Sequence, residues 1–343
     1  MNTEEKKKKK FLPRLIFWLI VAAILFIGLW FGLRAALVKS VSTGIDNLKT
    51  QGYQVNHDGL TVTGFPFSID ANSSGITLQA PTSQNLDPAK NWSVRLDQVS
   101  LNSTTITPLS WDMTHRGTVR IDMRGPRGER YMFDVTAAKL DAFGAASITG
   151  KLKSAHIDLA PTHIQSVVGT PLALQAAGPV TADLKIIGTD GHLSMAGRDL
   201  IISEQALGVM SGILGRKLEI AEADIVIKNW PGLEAEGAEI WRQNGGRIVC
   251  ENWRVQWGQI NMVGDFSFEF KDGTPMGVIH LKVKDIDALL GNLTKAGLLP
   301  QNMSSQARLL VGLIEIDQDG RKELEFTLNN GVLKYGFVTL HKF

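Results

Sequence analysis

The sequence predicts a mainly β protein: an N-terminal transmembrane helix, then a large curved antiparallel sheet, groove- or taco-like, with a few short helices. Three observations carry that prediction. Leu15 to Leu33 is an uncharged apolar run of 19 residues, long enough to cross a bilayer. Beyond it, apolar residues recur with period two, the mark of strands with one apolar and one polar face. Asp-Gly and Gly-Pro turn signals separate these runs at hairpin spacing.

The apolar run comes first in the chain. At ~1.5 Å per residue it spans about 28 Å, close to the ~30 Å hydrocarbon core. Trp18 and Trp30 stand toward its two ends, where amphipathic rings favour the interface. A cleaved signal peptide is the competing reading. Its apolar region would be ~7–15 residues, and Arg34-Ala35-Ala36-Leu37 matches a small-residue cleavage site poorly. Lys6 to Lys10 and Arg14 precede the run, whereas only Arg34 and Lys39 closely follow it. The positive-inside rule then puts the N-terminus in the cytoplasm and residues 39–343 across the membrane. The basic stretch serves as an orientation signal, with attraction to anionic lipid as a second reading. The expected layout is a cytoplasmic basic tail (1–14), a transmembrane helix (15–33), a membrane-proximal helix (34–50) and a β-rich domain on the far side of the membrane (51–343), in which two similar halves are an open reading.

Charge and cysteine content narrow the function classes. Residues 1–38 hold seven basic residues against Glu4 and Glu5, a surplus of five; the whole chain is +2, so the remainder carries −3. A body of that sign argues against a nucleic-acid surface, which needs a basic patch. The single Cys250 excludes an internal disulfide framework and any CxxC metal site. The 343 residues suffice for two ordinary domains or one large one.

The strands follow in order. Phe65, Phe67 and Ile69 alternate with polar residues or Pro66; Val119, Ile121 and Met123 do the same. So do Phe133/Val135, Leu184/Ile186, Leu218/Ile220 and Ile225/Ile227. The clearest runs are Trp253/Val255/Trp257, Phe266/Phe268/Phe270 and Leu324/Phe326/Leu328. Ile248 and Cys250 have the opposite parity to Trp253–Trp257, which predicts a bulge near Glu251-Asn252. Turns are expected at Arg124–Gly128, Thr189–Gly191, Lys271–Pro275 and Gln318–Gly320. About 18–20 strands at ~4.8 Å spacing would extend roughly 90 Å in one open sheet.

Helices are expected in four places after the membrane-proximal one. Pro161 to Val168 reads as two turns with Thr162 as a polar cap. Ser203 to Leu214 reads as a helix with Ser203 as N-cap and Gly215 after its end. Ile286 to Leu299 and Ser304 to Leu313 form a pair joined through Pro300, the first with Ile286, Leu289, Leu290 and Leu293 at helical spacing. Ile148–Leu152 resembles Met262–Phe266, each followed by a strand and then Ile-Asp: either a faint internal repeat or the common look of antiparallel strands.

Catalytic templates are absent: no GxSxG, HExxH, Walker A loop or GxGxxG. The seven histidines are scattered, and no metal site is expected. Asp317-Gln318-Asp319-Gly320 looks like a piece of a calcium loop but lacks the Gly and Glu that complete one, so it reads as a hairpin turn. Trp230, Trp241, Trp253 and Trp257 fall close together, either as sheet core or as rings for stacking on sugars or lipid headgroups.

Gly59-Leu60-Thr61-Val62-Thr63-Gly64-Phe65-Pro66-Phe67, shortly after a single membrane span, resembles the opening of an uncharacterised bacterial envelope family, domain of unknown function 2125. Gly264-Asp265-Phe266-Ser267-Phe268, Val283–Leu290 and Leu328–Leu333 fit its style. That C-terminal style also resembles, more remotely, the AsmA-like proteins. The resemblance implies an inner-membrane anchor, periplasmic sheets curled into a groove, and a link to lipid traffic. No catalytic residue carries over from either family.

The expected function is therefore non-enzymatic and needs no cofactor. An anchored envelope protein would bind or present phospholipid or another envelope lipid on an apolar β-groove, lined by Phe266, Phe268, Phe270, Leu324, Phe326 and Leu328. The physical reason is that one-faced strands in such number need a cover, which a few short helices cannot supply. The alternative is an assembly factor or scaffold with a closed β core, engaging other envelope proteins through edges or patches.

Overall fold

The computed structural model describes residues 4–81, 91–124, 128–169, 172–271, 273–297, 301–336 and 338–342. Three expected features, the turn at Gly125-Pro126-Arg127, Asp272 and the joint at Pro300, lie outside these residues. The chain divides into two compact units, Met1–Arg130 and Tyr131–Phe343.

In the first unit, α1 runs unbroken over Glu4–Thr50, so the apolar run and the membrane-proximal helix are one element. It is long and apolar enough to cross a membrane, as an anchor or a signal sequence would be. From Phe26 onward its less exposed residues, Phe26, Trp30, Leu33, Leu37, Val41, Ile45 and Leu48, recur at three- and four-residue intervals and form a single stripe. The strands β1 (Gln54–Asn56), β2 (Leu60–Thr63), β3 (Ser68–Gln79), β4 (Trp92–Thr104) and β5 (Ser110–Arg124) follow. β3 pairs with β1 and β2 on one edge and β4 on the other, and β4 pairs with β5, all antiparallel. Phe65 and Phe67 do not belong to a strand. They form the β2–β3 turn, because Gly64 takes a positive φ of 96° and Pro66 has no N–H to give a ladder.

The second unit contains β6 (Arg130–Ala137), β7 (Leu140–Ala146), β8 (Leu152–Leu159), β9 (Thr162–Val168), β10 (Leu174–Ala177), β11 (Val180–Ile187) and β12 (Asp190–Ile202). Short helices α2 (Glu204–Leu207) and α3 (Ser211–Leu214), joined by a 3-10 turn, lead to β13 (Lys217–Ile227) and α4 (Trp230–Gln243). Then come β14 (Arg247–Trp257), β15 (Ile260–Lys271), β16 (Thr274–Lys284), α5 (Ile286–Lys295), α6 (Gln301–Gly312), β17 (Arg321–Asn329), β18 (Val332–Tyr335) and β19 (Val338–Lys342). From β11 to β19 each strand pairs antiparallel with the next, a meander.

Before that meander, pairs of short strands behave as long strands broken midway. β8 and β9 pair respectively with β11 and β10 on one side, and with β7 and β6 on the other. The breaks at Ala138-Lys139, Ala160-Pro161 and Gly178-Pro179 line up with Asp199 of β12, whose φ is 51°. The Ala160 N–H donates to Lys139 O at 2.9 Å, and the Gly178 N–H to Arg198 O at 2.8 Å, so the crease stays hydrogen-bonded. Prolines fit there because a bend needs fewer ladder donors.

Several local expectations hold. Ser203 caps α2, accepting from the Ala206 N–H, and Gly215 ends α3. The α5–α6 pair is present. The bulge lies where the parity switch placed it: the register shifts between Cys250 and Trp253 against β15, and beside them against β13. Asp317 closes a turn, its Oδ1 accepting from the Asp319 and Arg321 N–H groups.

Others are corrected. Thr162–Val168 is the strand β9, not a helix; its burial alternates from Thr162 to Val167 and it is paired on both edges. Ile148–Lys151 forms a turn, whereas Met262–Phe266 lies inside β15, so these two segments are not equivalent. Trp230 and Trp241 are on α4, a helix the sequence analysis missed, and not in the sheet. Pro231 near its start was the available signal, and Gly237, with φ 83°, breaks its periodicity.

Candidate functional site

Register brings the expected residues of the second unit onto one face. Gly144, Ala155, Leu184, Leu193, Ile225, Cys250, Phe266, Ile279, Phe326 and Tyr335 are successive cross-strand partners from β7 to β18. A parallel row runs Ala142, Ile157, Ala182, Met195, Ala223, Trp253, Gly264, Leu281 and Leu324. A third runs Ile186, Gly191, Ile227, Ile248, Phe268, Gly277, Leu328 and Leu333. No charged side chain interrupts any of the three. Directly opposed residues share a face, so these rows form a continuous apolar surface across the strands.

Glycines shape that surface. A Cβ at Gly264 would meet the Trp253 indole, one at Gly277 the Phe268 ring, and one at Gly191 the Trp230 ring. Each ring thus lies down over a bare backbone, which flattens the face.

Helical elements cover the ends of the strands. α4 brings Trp241 to 5.8 Å from Phe270, ring centre to ring centre, and Arg242 lies over the same ring at 5.6 Å. Phe270 therefore belongs to a packed cap. At the opposite end Lys322 is buried, donating to the Val311 carbonyl of α6 at 2.9 Å and lying 3.4 Å from Asp287 of α5. Between the caps, Phe266, Phe268, Leu324, Phe326 and Leu328 are half-buried, and Ile157 and Met195 are exposed. Phe266 and Phe268 touch each other, with ring centres 5.0 Å apart.

The opposite face is mostly polar. His280 Nδ1 lies 2.7 Å from Asp265 Oδ1, with Glu325 at 3.8 Å from Nε2. The hydrogen bond to Asp265 raises the His280 pKa, against opposing desolvation. His156 and Asp183 make a similar pair at 2.8 Å. Burial pushes the Cys250 thiol up, leaving it an inert core residue. Among the described residues no group of three or more His, Cys, Asp or Glu is placed to hold a metal.

The first unit has a separate apolar cavity of about 190 Å³. Val41 and Ile45 of α1 face Val55, Leu60, Ala71, Ile76, Val99 and Leu101 across it. Sequence reasoning missed this cavity, since nothing local says that α1 folds back along the strands. Nearby in the same sheet His115 is buried, and desolvation lowers its pKa against the opposing charge of Asp97.

Comparison with known proteins gives one family. A family model described as an uncharacterised protein conserved in bacteria, domain of unknown function 2125, matches residues 30–343. No curated protein matches, and no solved structure matches.

Proposed function

The chain belongs to this family of uncharacterised bacterial proteins, and from that premise we propose that it is a non-enzymatic, inner-membrane-anchored protein that holds or presents lipid acyl chains in envelope maintenance. In this reading α1 is a retained anchor, the N-terminus is cytoplasmic and the strands are periplasmic. The observation that carries it is the apolar face: three charge-free rows, one crossing from β7 to β18, one from β7 to β17 and one from β11 to β18, capped at the strand ends and with Phe266, Phe268, Leu324, Phe326 and Leu328 half-buried between the caps. Each chain methylene moved from water onto such a surface gains about 0.8 kcal/mol. The rows offer no charged group to a headgroup, so the face would select for chains and discriminate poorly among lipid classes. In this reading the C-terminal strands would be AsmA-like in use as well as in sequence style.

The test is mass spectrometry of the purified full-length protein after exhaustive delipidation of the detergent. Retained phospholipid near one or more per chain supports the reading. A lipid-free protein with an intact fold favours the scaffold with a closed core, in which partner proteins engage edges or patches instead.

A further inference from the structure

We propose that the β2–β3 turn, Phe65-Pro66-Phe67, together with Ile106 of the β4–β5 connection, is a wedge that inserts into the acyl region of the leaflet next to the first unit. The proposal rests on α1 being a retained anchor, and it names a second membrane contact that the anchor reading does not require.

The wedge sits beside the apolar run of α1, not beyond it. The Trp30 indole N–H donates to the Ser68 carbonyl at 2.6 Å, and its ring meets Phe65 edge-on at 5.2 Å. The Phe67 ring is 6.0 Å from that of Phe26. Phe26 lies seven residues before Leu33, where the uncharged run ends. At ~1.5 Å per residue, that puts Phe67 about 10 Å inside the end of the hydrophobic segment, within the depth that interfacial apolar groups reach.

Exposure and hydrogen bonding both suit lipid. Phe65 is 50% exposed, Phe67 75% and Ile106 84%, although all three are large and apolar. Packing on α1 therefore does not explain them: it buries Trp30 to 5% and leaves its neighbours open. Backbone entering hydrocarbon must satisfy its polar groups internally. Here the carbonyls of Gly64, Pro66, Phe67 and Ser68 all accept protein hydrogen bonds: from Ser68 N–H, Thr105 Oγ1, Thr105 N–H and the Trp30 indole, at 2.6–3.0 Å. Gly64 to Ile69 and Thr104 to Ser110 contain no charge. The first carboxylate, Asp70, is held by Ser68 Oγ at 2.8 Å and by Asn102. That polar cluster would mark the headgroup level.

The experiment uses full-length protein in vesicles made with phospholipids brominated at mid-chain. An environment-sensitive thiol label is placed in turn at Phe67→Cys, Phe26→Cys and Gln98→Cys; Cys250, with no exposed surface, stays unlabelled. Strong quenching at positions 26 and 67, at least threefold that at 98, is the expected result. Quenching at 26 with position 67 no higher than 98 overturns the wedge and leaves the anchor standing. No quenching at 26 removes the anchor reading, and the wedge with it.

Discussion

The Trp30 indole N–H and the Ser68 carbonyl oxygen, 2.6 Å apart, join the apolar helix to the first residue of β3 across 38 positions of sequence. The bond is largely shielded from water, so it holds the β2–β3 hairpin against α1 at a fixed height. Trp30→Phe keeps an aromatic ring and removes the donor; the expected cost is about 1 kcal/mol. Trp30→Ala also empties the contact with Phe65, at about 3–5 kcal/mol. Chemical denaturation of the full chain in micelles measures both, and equal effects for the two variants would show that the hydrogen bond alone matters.

Phe268→Glu tests whether the mid-face is open. The ring is half-buried above Gly277. On an open groove, a carboxylate there expels the lipid chain and is then hydrated, so the protein stays folded with its bound lipid nearly gone. In a closed core the same charge is buried unpaired, and thermal stability collapses. Unchanged lipid content in a folded variant would mean that the chains lie on another face.

Gly277 and Gly144 both belong to the apolar face but have different surroundings. A methyl at Gly277 collides with the Ser267 carbonyl and the Phe268 ring, whereas at Gly144 it meets nothing within 4 Å. Gly277→Ala is expected to cost about 1–3 kcal/mol, lowering Tm by several degrees. Gly144→Ala should be neutral or slightly stabilising, since it reduces the freedom of the unfolded chain. Calorimetry on the pair checks the contrast.

His115 gives the first unit an acid sensitivity. Burial lowers its folded pKa below the usual imidazole value of about 6.5, so the unfolded chain binds the proton more readily. Its stabilising contribution is complete above about pH 6.5 and is lost as the pH falls from there through the folded pKa. His115→Gln should flatten this part of the stability–pH profile; an unchanged profile would remove His115 as the cause.

His280 shifts the other way. With its pKa raised chiefly by the Asp265 hydrogen bond, it favours folding below the unfolded imidazole pKa, and that contribution fades as pH rises through the folded value. Asp265→Asn should return the His280 titration toward the ordinary range. An NMR titration reads this directly, and an unmoved pKa would assign the shift to Glu325 or Glu323 instead.

Much of this architecture was legible in the sequence where the physics is local. Nineteen uncharged residues specify an apolar helix by length alone. Period-two runs such as Phe266/Phe268/Phe270 specify a face, and the parity switch between Cys250 and Trp253 specified the bulge. Local signals misled where a neighbour overrode them. Thr162–Val168 is drawn into strand by partners on both edges, and Phe65 and Phe67 alternate like a strand although Gly64 and Pro66 turn the chain. Nothing in composition marked the division at Arg130/Tyr131.

What the sequence determined by itself is which residues point the same way along each element, because backbone geometry sets periods of 3.6 and 2.0 residues. Only the tertiary structure decided which of those faces join. Register aligned Gly144 with Tyr335 through eight intervening strands, and a crease aligned Ala160-Pro161 with Asp199. Folding α1 back along β1–β4 set Phe67 beside Phe26. Those contacts join residues far apart in sequence, so no single segment encodes them. Pairing energy and apolar burial summed over the whole chain select them.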